Sequence, residues 1–354
     1  MTPPRGKRAA ATVLAFALVA IAFDLVVLGW GETPSTIARQ IVAGTWGTAY
    51  GTGQVLFKAT SILIAAVAAR IALRAGLFNI GVEGSIAVAA IAVGGVGAAL
   101  PAGIPAWVAW PLLLVVGALA GGLWALPAGL LRARFGAHEV ISGIMLNKIA
   151  AALVGWLLSP TGGKLADHAS VHTRPLPHGA ISARLESFGL RALHGSAANV
   201  ALLVAMVLAF GWSWLARRTV YGRELAAVGA SPSASRGAGI QVGRRLVEAL
   251  ALSGAVAGLC ALNDVMGYKG YAEEGVSAGV GFTGLAAALL AGESAAGLVA
   301  AALLFGTLSQ GGLAINARVP MEIVDVLVAA LILLVGVAPA LAARLDSPSR
   351  RPEA

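Results

Sequence analysis

The chain has 354 residues, of which 58% are hydrophobic and 12% are charged, and its formal net charge is +9. Soluble domains carry roughly a quarter charged residues, so this composition excludes an ordinary soluble protein and predicts a polytopic membrane protein. The positive charge does not indicate a nucleic-acid partner, because the lysines and arginines lie at the ends of apolar runs and in loops, where membrane topology accounts for them.

The first predicted span follows a basic N-terminus. An apolar run from Ala9 to Trp30 comes directly after Arg5, Lys7 and Arg8. This run is longer than the apolar region of about 7–15 residues in a signal peptide, and it matches the ~20 residues that cross a bilayer. We therefore expect a retained first helix. The following segment, residues 31–52, is mixed in polarity and is predicted to lie outside the membrane.

Nine further apolar runs bring the prediction to an all-α protein with about ten transmembrane helices. They lie at about residues 53–73, 74–100, 106–131, 138–158, 199–215, 246–266, 278–291, 294–313 and 323–343. The bias of basic residues toward the cytoplasm places both termini on that side, with Arg344, Arg350 and Arg351 at the C-terminal end. The run at 278–291 is short and glycine-rich, so eight or nine spans result if such a segment is re-entrant.

Two polar segments interrupt these runs. Residues 160–197 are predicted to form an extracytoplasmic loop, because the span count outweighs the few basic residues there. Residues 217–245 hold six arginines against one acid and are predicted to be cytoplasmic. Ser231 and Pro232 suit the cap and first position of a short helix, which Gly237 then ends. Such a helix suits docking of a soluble partner; a loop that only fixes topology is the alternative.

Catalytic and nucleotide-binding motifs fail on their context. Residues 275–279 match GxSxG, but no histidine follows Ser277. His138-Glu139 starts like the zinc motif HExxH, yet position 142 is serine. No GxxxxGK[ST] motif is present, and the single cysteine, Cys260, excludes a cysteine metal cluster. We expect no catalytic residue, no metal and no cofactor bound by this chain.

Polar residues inside the spans are better candidates for a functional site. Ionisable groups there cost roughly 2.5–3.5 kcal/mol each, so they tend to face a cavity or a partner. Asn79 is predicted to cap a helix that starts within the membrane, which leaves free N–H groups facing a pathway. Glu83 either lines this pathway or pairs with the helix dipole or an arginine and only holds the helix.

A second group lies in the fifth predicted span. Glu139, Gly143 and Asn147 are spaced at i, i+4 and i+8 and share one helical face. This face is predicted to line a polar pathway. Alternatively, Glu139 lies at the cytoplasmic mouth near Arg132 and Arg134 as a structural ion pair.

Glycine-rich segments complete the candidates. Residues 279–284, Gly-Val-Gly-Phe-Thr-Gly, favour close backbone approach, and Phe282 either stacks on a planar or sugar ring or packs in the core. Three GxxxG pairs are candidate helix contacts: Gly117/Gly121, Gly254/Gly258 and Gly275/Gly279.

Five segments taken in order resemble the permease subunits of ABC importers. They are GLFNIGVEG (76–84), HEVISGIMLN (138–147), YGRELAAVGASPSASRGAGI (221–240), LSGAVAGL (252–259) and GFTGLAAALLAG (281–292). The match is to the family of simple-sugar, nucleoside and branched-chain amino acid permeases, closest to its nucleoside branch, and it covers about residues 50–340. Relatives commonly carry glutamine where Ser85 stands and an aromatic residue where Lys148 stands, which leaves the solute and the register of that span open.

The resemblance implies one transmembrane permease domain over residues 1–354, with a type II-like importer architecture. It implies a coupling helix at Ser231–Gly239 that docks on a cytoplasmic ABC ATPase, with Arg223 and Arg236 as contacts or supports. The pathway residues that we then expect, from the resemblance and the polar pattern together, are Asn79, Glu83, Glu139, Asn147, Phe282 and Thr283.

The resemblance also implies partners and a place in the cell. ATP and Mg²⁺ would bind the ATPase, a second permease subunit would complete a homo- or heterodimer, and an extracytoplasmic binding protein or lipoprotein would deliver the solute. The chain would be a multi-pass protein of a bacterial-type inner membrane. Nucleosides or a related purine or ribosyl solute are the expected cargo, with a simple sugar or branched-chain amino acid as the alternative. An ion-coupled transporter, with Glu83 as its coupling carboxylate, is the second alternative; a membrane enzyme lacks a convergent catalytic set.

Overall fold

The computed structural model describes residues 5–163, 165–167, 170–190, 193–276, 279–320, 322–324, 326 and 329–330. Over these residues the chain is helical, with three isolated β-bridges and no named strand, so the all-α prediction is confirmed. The helices are α1 (Arg5–Gly29), α2 (Pro34–Thr45), α3 (Ala49–Arg74), α4 (Val82–Ala98), α5 (Ala106–Phe135), α6 (Glu139–Leu157), α7 (Ala201–Arg218), α8 (Val220–Ala230), α9 (Pro232–Gly237), α10 (Val242–Gly258), a π-helical segment (Leu262–Lys269), α11 (Val280–Ala291) and α12 (Ala295–Ile315).

Six helices in the described ranges are long and apolar enough to cross a membrane, and the count of about ten spans stays a prediction. They are Ala49–Arg74, Ala106–Phe135, Glu139–Leu157, Ala201–Arg218, Val242–Lys269 and Ala295–Ile315. A seventh results if Ala17–Gly29 and Pro34–Thr45, which meet at 110°, form one span. Two shorter apolar helices, α4 and α11, fall on predicted runs but have only 17 and 12 residues. Most of the predicted last span, the basic C-terminal end and Ser277 lie outside the described residues.

Backbone contact between glycines joins α5 to α10. A Cβ on Gly121 would overlap the carbonyl oxygen of Gly254 and lie 3.0 Å from the Cα of Gly258. A Cβ on Gly117 would lie 2.9 Å from the carbonyl oxygen of Gly258. The first two predicted GxxxG pairs therefore face each other, which is the packing that small residues permit in lipid. The third pair, at 275 and 279, is not a helix contact: both glycines have positive φ and open space around them.

Alanine at Gly121 is expected to destabilise the protein, because its methyl group has no room beside the Gly254 backbone. Overpacking of this kind costs about 1–3 kcal/mol, so we expect the apparent Tm of the detergent-purified protein to fall by about 5 °C. The matched control is Gly211→Ala in α7, where a Cβ meets nothing within 4 Å. Equal Tm values for the two variants would contradict the tight contact.

Helix α3 is the most buried of the six long helices, and most of it lies in the unit that spans residues 52–306. Glycines let two other helices approach it: a Cβ on Gly284 of α11 would lie 2.8 Å from the backbone of Ala65, and one on Gly306 of α12 would lie 2.9 Å from that of Val55. A side chain of α10 also bonds to it, since Ser253 Oγ donates to the carbonyl oxygen of Ala68 at 2.6 Å. The candidate site is built around this helix.

A second unit comprises residues 1–51 and 307–354. Its described core contains Val27, Ile37, Ile315, Val319 and Val324. Glu32 pairs with Arg318 at 3.0 Å. The sequence pattern predicts no helix at residues 31–52, but Pro34 at the first helical position starts α2 there. The mixed polarity that hid this helix reflects its amphipathic pattern, with Ile37 and Thr45 buried.

In its described part, the segment at 160–197 contains no α-helix and no named strand. Its described part contains two short 3₁₀ turns, His178–Ala180 and Leu185–Phe188. Backbone N–H groups in the loop donate to carbonyl oxygens at residues 266–272, with distances of 2.7–2.8 Å for Thr173 to Ala272, Leu176 to Gly270 and Ser182 to Met266. The loop is therefore fastened to the end of the π-helical segment.

Candidate functional site

Two short apolar helices, α4 and α11, begin beside the same carboxylate. Glu83 lies in the first turn of α4, and its Oε1 and Oε2 accept hydrogen bonds from the backbone N–H groups of Gly279 at 2.9 Å and Gly281 at 2.8 Å. Helix N-termini carry free N–H groups and a partial positive charge. The side chain of Glu83 therefore accepts hydrogen bonds from N–H groups at the start of α11 and places its negative charge at the start of α4.

Glycine is required at both of these partners. Gly279 has φ +81°, in the left-handed region that residues with a Cβ rarely adopt. A Cβ on Gly281 would lie 2.6 Å from the backbone nitrogen of Glu83. The glycines predicted for close backbone approach thus bring the start of α11 within reach of the carboxylate.

The polar face of α6 holds the turn that leads into α4. Asn147 Oδ1 accepts from the backbone N–H of Gly84 at 2.9 Å, and its Nδ2 donates to the carbonyl oxygen of Ile80 at 3.0 Å. Gly143 leaves room for the backbone of Gly81, which a Cβ would approach to 2.9 Å. The three predicted residues share one face, and that face packs against the segment at 78–84.

Glu139, at the start of the same face, is buried and joins two elements. Its Oε1 accepts from the backbone N–H of Phe78 at 3.3 Å, and its Oε2 lies 3.4 Å from Nε of Arg132. This geometry matches the alternative in which Glu139 pairs with Arg132. A role in contacting solute stays a prediction for Glu139 and Asn147.

Asn79 does not cap α4, so that prediction is wrong. The cap position is Gly81, which has no side-chain cap hydrogen bond. Asn79 is 4% exposed, and its Nδ2 donates to Ser253 Oγ at 2.8 Å. Asn79 lies two positions before the cap residue, and its side chain turns toward α10 instead.

Phe282 and Thr283 follow directly after the glycines that bond to Glu83. Phe282 is 50% exposed, so the alternative of a core-packed ring does not hold within this chain. Thr283 Oγ1 donates to the carbonyl oxygen of Gly279 within its own helix at 3.0 Å. The six predicted pathway residues are thus gathered around the segment at 78–84 and the start of α11; their contact with solute stays a prediction.

The basic segment contains the predicted short helix. Ser231 caps α9, accepting from the backbone N–H of Ala234 at 3.3 Å, and Pro232 is its first residue. Arg223 on α8 and Arg236 on α9 are both exposed. The pair α8–α9 therefore presents a short capped helix and two cations on one polar segment, and docking of a partner there stays a prediction.

Comparison with known proteins gives the family. The family model described as branched-chain amino acid transport system / permease component matches residues 51–336. The chain belongs to this permease family. It is a membrane transport subunit, and it resembles transport permeases rather than enzymes.

Individual relatives cover nearly the whole permease. The guanosine ABC transporter permease protein NupP of Bacillus subtilis is 36% identical over 331 residues, 91% of each chain. The nucleoside ABC transporter permease protein NupB of Lactococcus lactis is 31% identical over 90% of each chain. The glucose ABC transporter permease protein TsgB13 of Haloferax volcanii is 29% identical over 94% of this chain and 86% of its own. No solved structure matches the permease.

Arg74, at the end of α3, connects the basic segment of the permease to the turn after α11. Its NH2 and Nε donate to the carbonyl oxygens of Ala216 at 2.9 Å and Gly222 at 3.0 Å, at the corner between α7 and α8. Its NH1 lies 3.3 Å from Oε1 of Glu293, between α11 and α12. Arg70 reaches the same carboxylate at 3.1 Å.

Helix α8 of the permease also rests directly on the turn after α3. A Cβ on Gly229 would lie 2.5 Å from the carbonyl oxygen of Arg74 and 2.8 Å from the backbone nitrogen of Gly76. Gly76 has φ +74°, which ends α3 and turns the chain toward the segment at 78–84. The basic segment is therefore connected to Glu83 through residues 75–81, the turn between α3 and α4.

A compact ionic cluster holds α8 on α10. Arg245 donates to Glu224 at 2.6 Å and to Glu248 at 2.5 Å, and its guanidinium lies 5.1 Å from the centre of the Tyr221 ring. Burial of Tyr221, with a smaller contribution from the negative charge of Glu248, raises the pKa of its hydroxyl to about 12. Tyr221 therefore stays neutral at physiological pH and acts as a packing surface for the cation.

Sequence inspection missed Glu293 and the role of Arg74. Their separation of 219 residues leaves no local pattern that pairs them. The spacing of Arg70 and Arg74 is a weak signal, because two like charges one helical turn apart repel each other and an acidic partner relieves that repulsion.

Proposed function

We propose that this permease is the membrane-spanning subunit of an ATP-driven importer of nucleosides or a related purine or ribosyl solute. The observation that carries the proposal is the 36% identity to a guanosine permease over 91% of both chains. A nucleoside permease at 31% identity supports the same cargo. The glucose permease, at 29%, supports the sugar alternative less strongly.

The proposed assembly contains parts that this chain lacks. A cytoplasmic ABC ATPase binds ATP and Mg²⁺ and docks on α9, with Arg223 and Arg236 as contacts or supports. A second permease subunit completes the pathway, and an extracytoplasmic binding protein or lipoprotein delivers the solute to the loop at 160–197. In this arrangement both termini and the segment at 217–245 face the cytoplasm of a bacterial-type inner membrane, in a type II-like architecture of about ten spans.

The contacts described above supply a route for coupling. Movement of α9 by the ATPase displaces α8, which rests on Gly76 and is bonded to Arg74. The turn after Gly76 leads to Glu83, whose carboxylate holds the start of α11. Displacing α8 therefore changes the position of α11 and of the exposed Phe282, and the pathway opens toward the cytoplasm.

The ion-coupled alternative gains no support from Glu83. Both of its carboxylate oxygens accept backbone hydrogen bonds, which is the arrangement of a structural clamp.

Uptake by the reconstituted importer tests the proposed function. The permease, its ATPase and its binding protein in liposomes are expected to accumulate labelled guanosine when ATP is enclosed with the ATPase. Labelled glucose and leucine serve as competing cargoes. Accumulation of glucose or leucine but not guanosine would replace the nucleoside assignment, and uptake of guanosine without ATP would overturn the ATP-driven mechanism.

Reversing the charge of Arg236 is expected to uncouple the machine. Glutamate at this exposed position repels an acidic docking surface, so we expect uptake per ATP hydrolysed to fall about tenfold while the amount of inserted protein is unchanged. The matched control is Arg218→Glu, an equally exposed arginine at the end of α7. Normal coupling in Arg236→Glu would refute its role in docking.

A further inference from the structure

A buried polar cluster lies at the π-helical segment, apart from the residues already discussed. Asp264 Oδ1 accepts from Ser61 Oγ at 2.8 Å and from Asn263 Nδ2 at 3.2 Å. Asn263 Nδ2 also lies 3.0 Å from the carbonyl oxygen of Phe57, and Asn263 Oδ1 accepts from Asn199 Nδ2 at 2.9 Å. The cluster thus joins α3, the π-helical segment and the start of α7. π-Helical turns are frequent at functional sites.

One atom of this cluster is left without a partner. Asp264 is 9% exposed, and its Oδ2 is buried with no hydrogen bond to any described residue. Buried polar atoms almost always have a partner, so an orphan calls for an explanation such as a ligand. Glu83 differs in this respect, because both of its oxygens are bonded.

Two aromatic rings lie about one helical turn from Ser61 and Asp264, one on α3 and one on the π-helical segment. Phe57 precedes Ser61 by four residues on α3, and Tyr268 follows Asp264 by four residues on the π-helical segment. The ring centroids of Phe57 and Tyr268 are 4.9 Å apart, with planes tilted by 49°. Tyr268 is 46% exposed. Exposure thus rises from the buried carboxylate of Asp264 to the half-exposed ring of Tyr268, about one turn away.

We propose that these four residues, Phe57, Ser61, Asp264 and Tyr268, form a nucleoside-binding site, with the base on the Tyr268 ring and a ribose hydroxyl donating to Asp264 Oδ2. The proposal rests on the proposed function and adds where the solute is recognised. Four residues of α3 span ~6 Å, which suits the separation of base and ribose in one nucleoside. Base stacking on an aromatic ring tolerates any base, whereas a carboxylate oxygen accepts only from a donor and so requires the hydroxyl.

The location suits early capture of the solute. The loop at 160–197 is fastened to residues 266–272, immediately beyond the site. A solute released at this loop therefore meets the exposed Tyr268 ring before it meets Glu83 and the start of α11.

A substrate-by-mutant cycle tests the carboxylate. Uptake of guanosine, 2′-deoxyguanosine and 3′-deoxyguanosine is measured in liposomes that contain the complete importer, with saturating loaded binding protein. The wild-type protein is expected to prefer guanosine over at least one deoxy analogue by about tenfold or more, the value of a hydrogen bond to a charged group. Asp264→Asn, which replaces the acceptor by a donor at similar volume, is expected to reduce that preference to about one.

The outcomes separate the two proposals. An unchanged preference in Asp264→Asn, with wild-type guanosine uptake intact, overturns the site and leaves the proposed function standing. Absence of guanosine uptake by the wild-type importer overturns both. Because preferences are ratios within one variant, a partial loss of folded protein cancels from them.

The ring is tested by a second pair of variants. Tyr268→Leu is expected to raise the KM for guanosine about tenfold above that of Tyr268→Phe, because leucine removes the stacking surface and phenylalanine keeps it. Equal KM values in the two variants overturn the role of Tyr268. This comparison also decides the proposal if Asp264→Asn fails to assemble.

Discussion

Replacing Glu83 with alanine is expected to lower nucleoside uptake by about 100-fold, with membrane insertion intact. The substitution leaves the N–H groups of Gly279 and Gly281 without their acceptor and removes a negative charge from two helix starts. Each buried donor left unsatisfied costs about 1–3 kcal/mol, so α11 loses its fixed position. Glu83→Gln keeps one acceptor but points an NH₂ group at the other N–H, and we expect an intermediate loss.

Uptake and assembly must be measured together for this variant. Uptake into liposomes is divided by the amount of permease that elutes as assembled complex. The matched control is Glu274→Gln, an exposed acid in the loop before α11, which is expected to keep uptake within about twofold. If uptake and assembled protein fall by the same factor in Glu83→Ala, the carboxylate serves only to hold the fold.

Arg74→Lys is expected to lower uptake about 30-fold while the ATPase continues to hydrolyse ATP. A guanidinium reaches the Ala216 and Gly222 carbonyl oxygens and the Glu293 carboxylate at once, and a compact ammonium lacks this planar fork. Two carbonyl groups at the α7–α8 corner therefore lose their donor. The basic segment then moves without displacing the turn that leads to Glu83.

Arg70→Lys provides the control for Arg74→Lys. Arg70 reaches the same Glu293 carboxylate from the same face of α3, and a lysine can keep such a single ion pair. We expect less than about a threefold loss of uptake for it. Equal uptake in the two variants would show that the charge near Glu293, rather than the bonds to the α7–α8 corner, accounts for the effect of Arg74.

The apolar runs predicted most of the helices because length and hydrophobicity are local properties. A helix forms on each predicted run that the structure describes. The number of helices that cross the membrane was not predictable in the same way, because the runs at 74–100 and 278–291 form helices of only 17 and 12 residues. N–H groups at the starts of α4 and α11 donate to Asn147 and Glu83, respectively. Each acceptor lies far along the chain from the N–H group that it binds.

The sequence predicted which polar residues lie near the segment at 78–84 better than it predicted their hydrogen bonds. The spacing of Glu139 and Asn147 placed them on one face, yet it carried no information about the segment that this face contacts. Asn79 was assigned to the cap because asparagine favours that position, whereas the hydroxyl of Ser253, 174 residues away, holds its side chain. Partners at such distances in the chain are set by tertiary packing, which a single sequence does not display.

The glycine contact between α5 and α10 has a consequence for how the span Val242–Lys269 deforms. The α10 part of this span packs backbone against backbone on α5, a helix of 30 residues. Flexure of this span is therefore confined to the wide turns at Leu262–Lys269. In the proposed importer, strain that the ATPase places on this span therefore reaches the residues around Asp264.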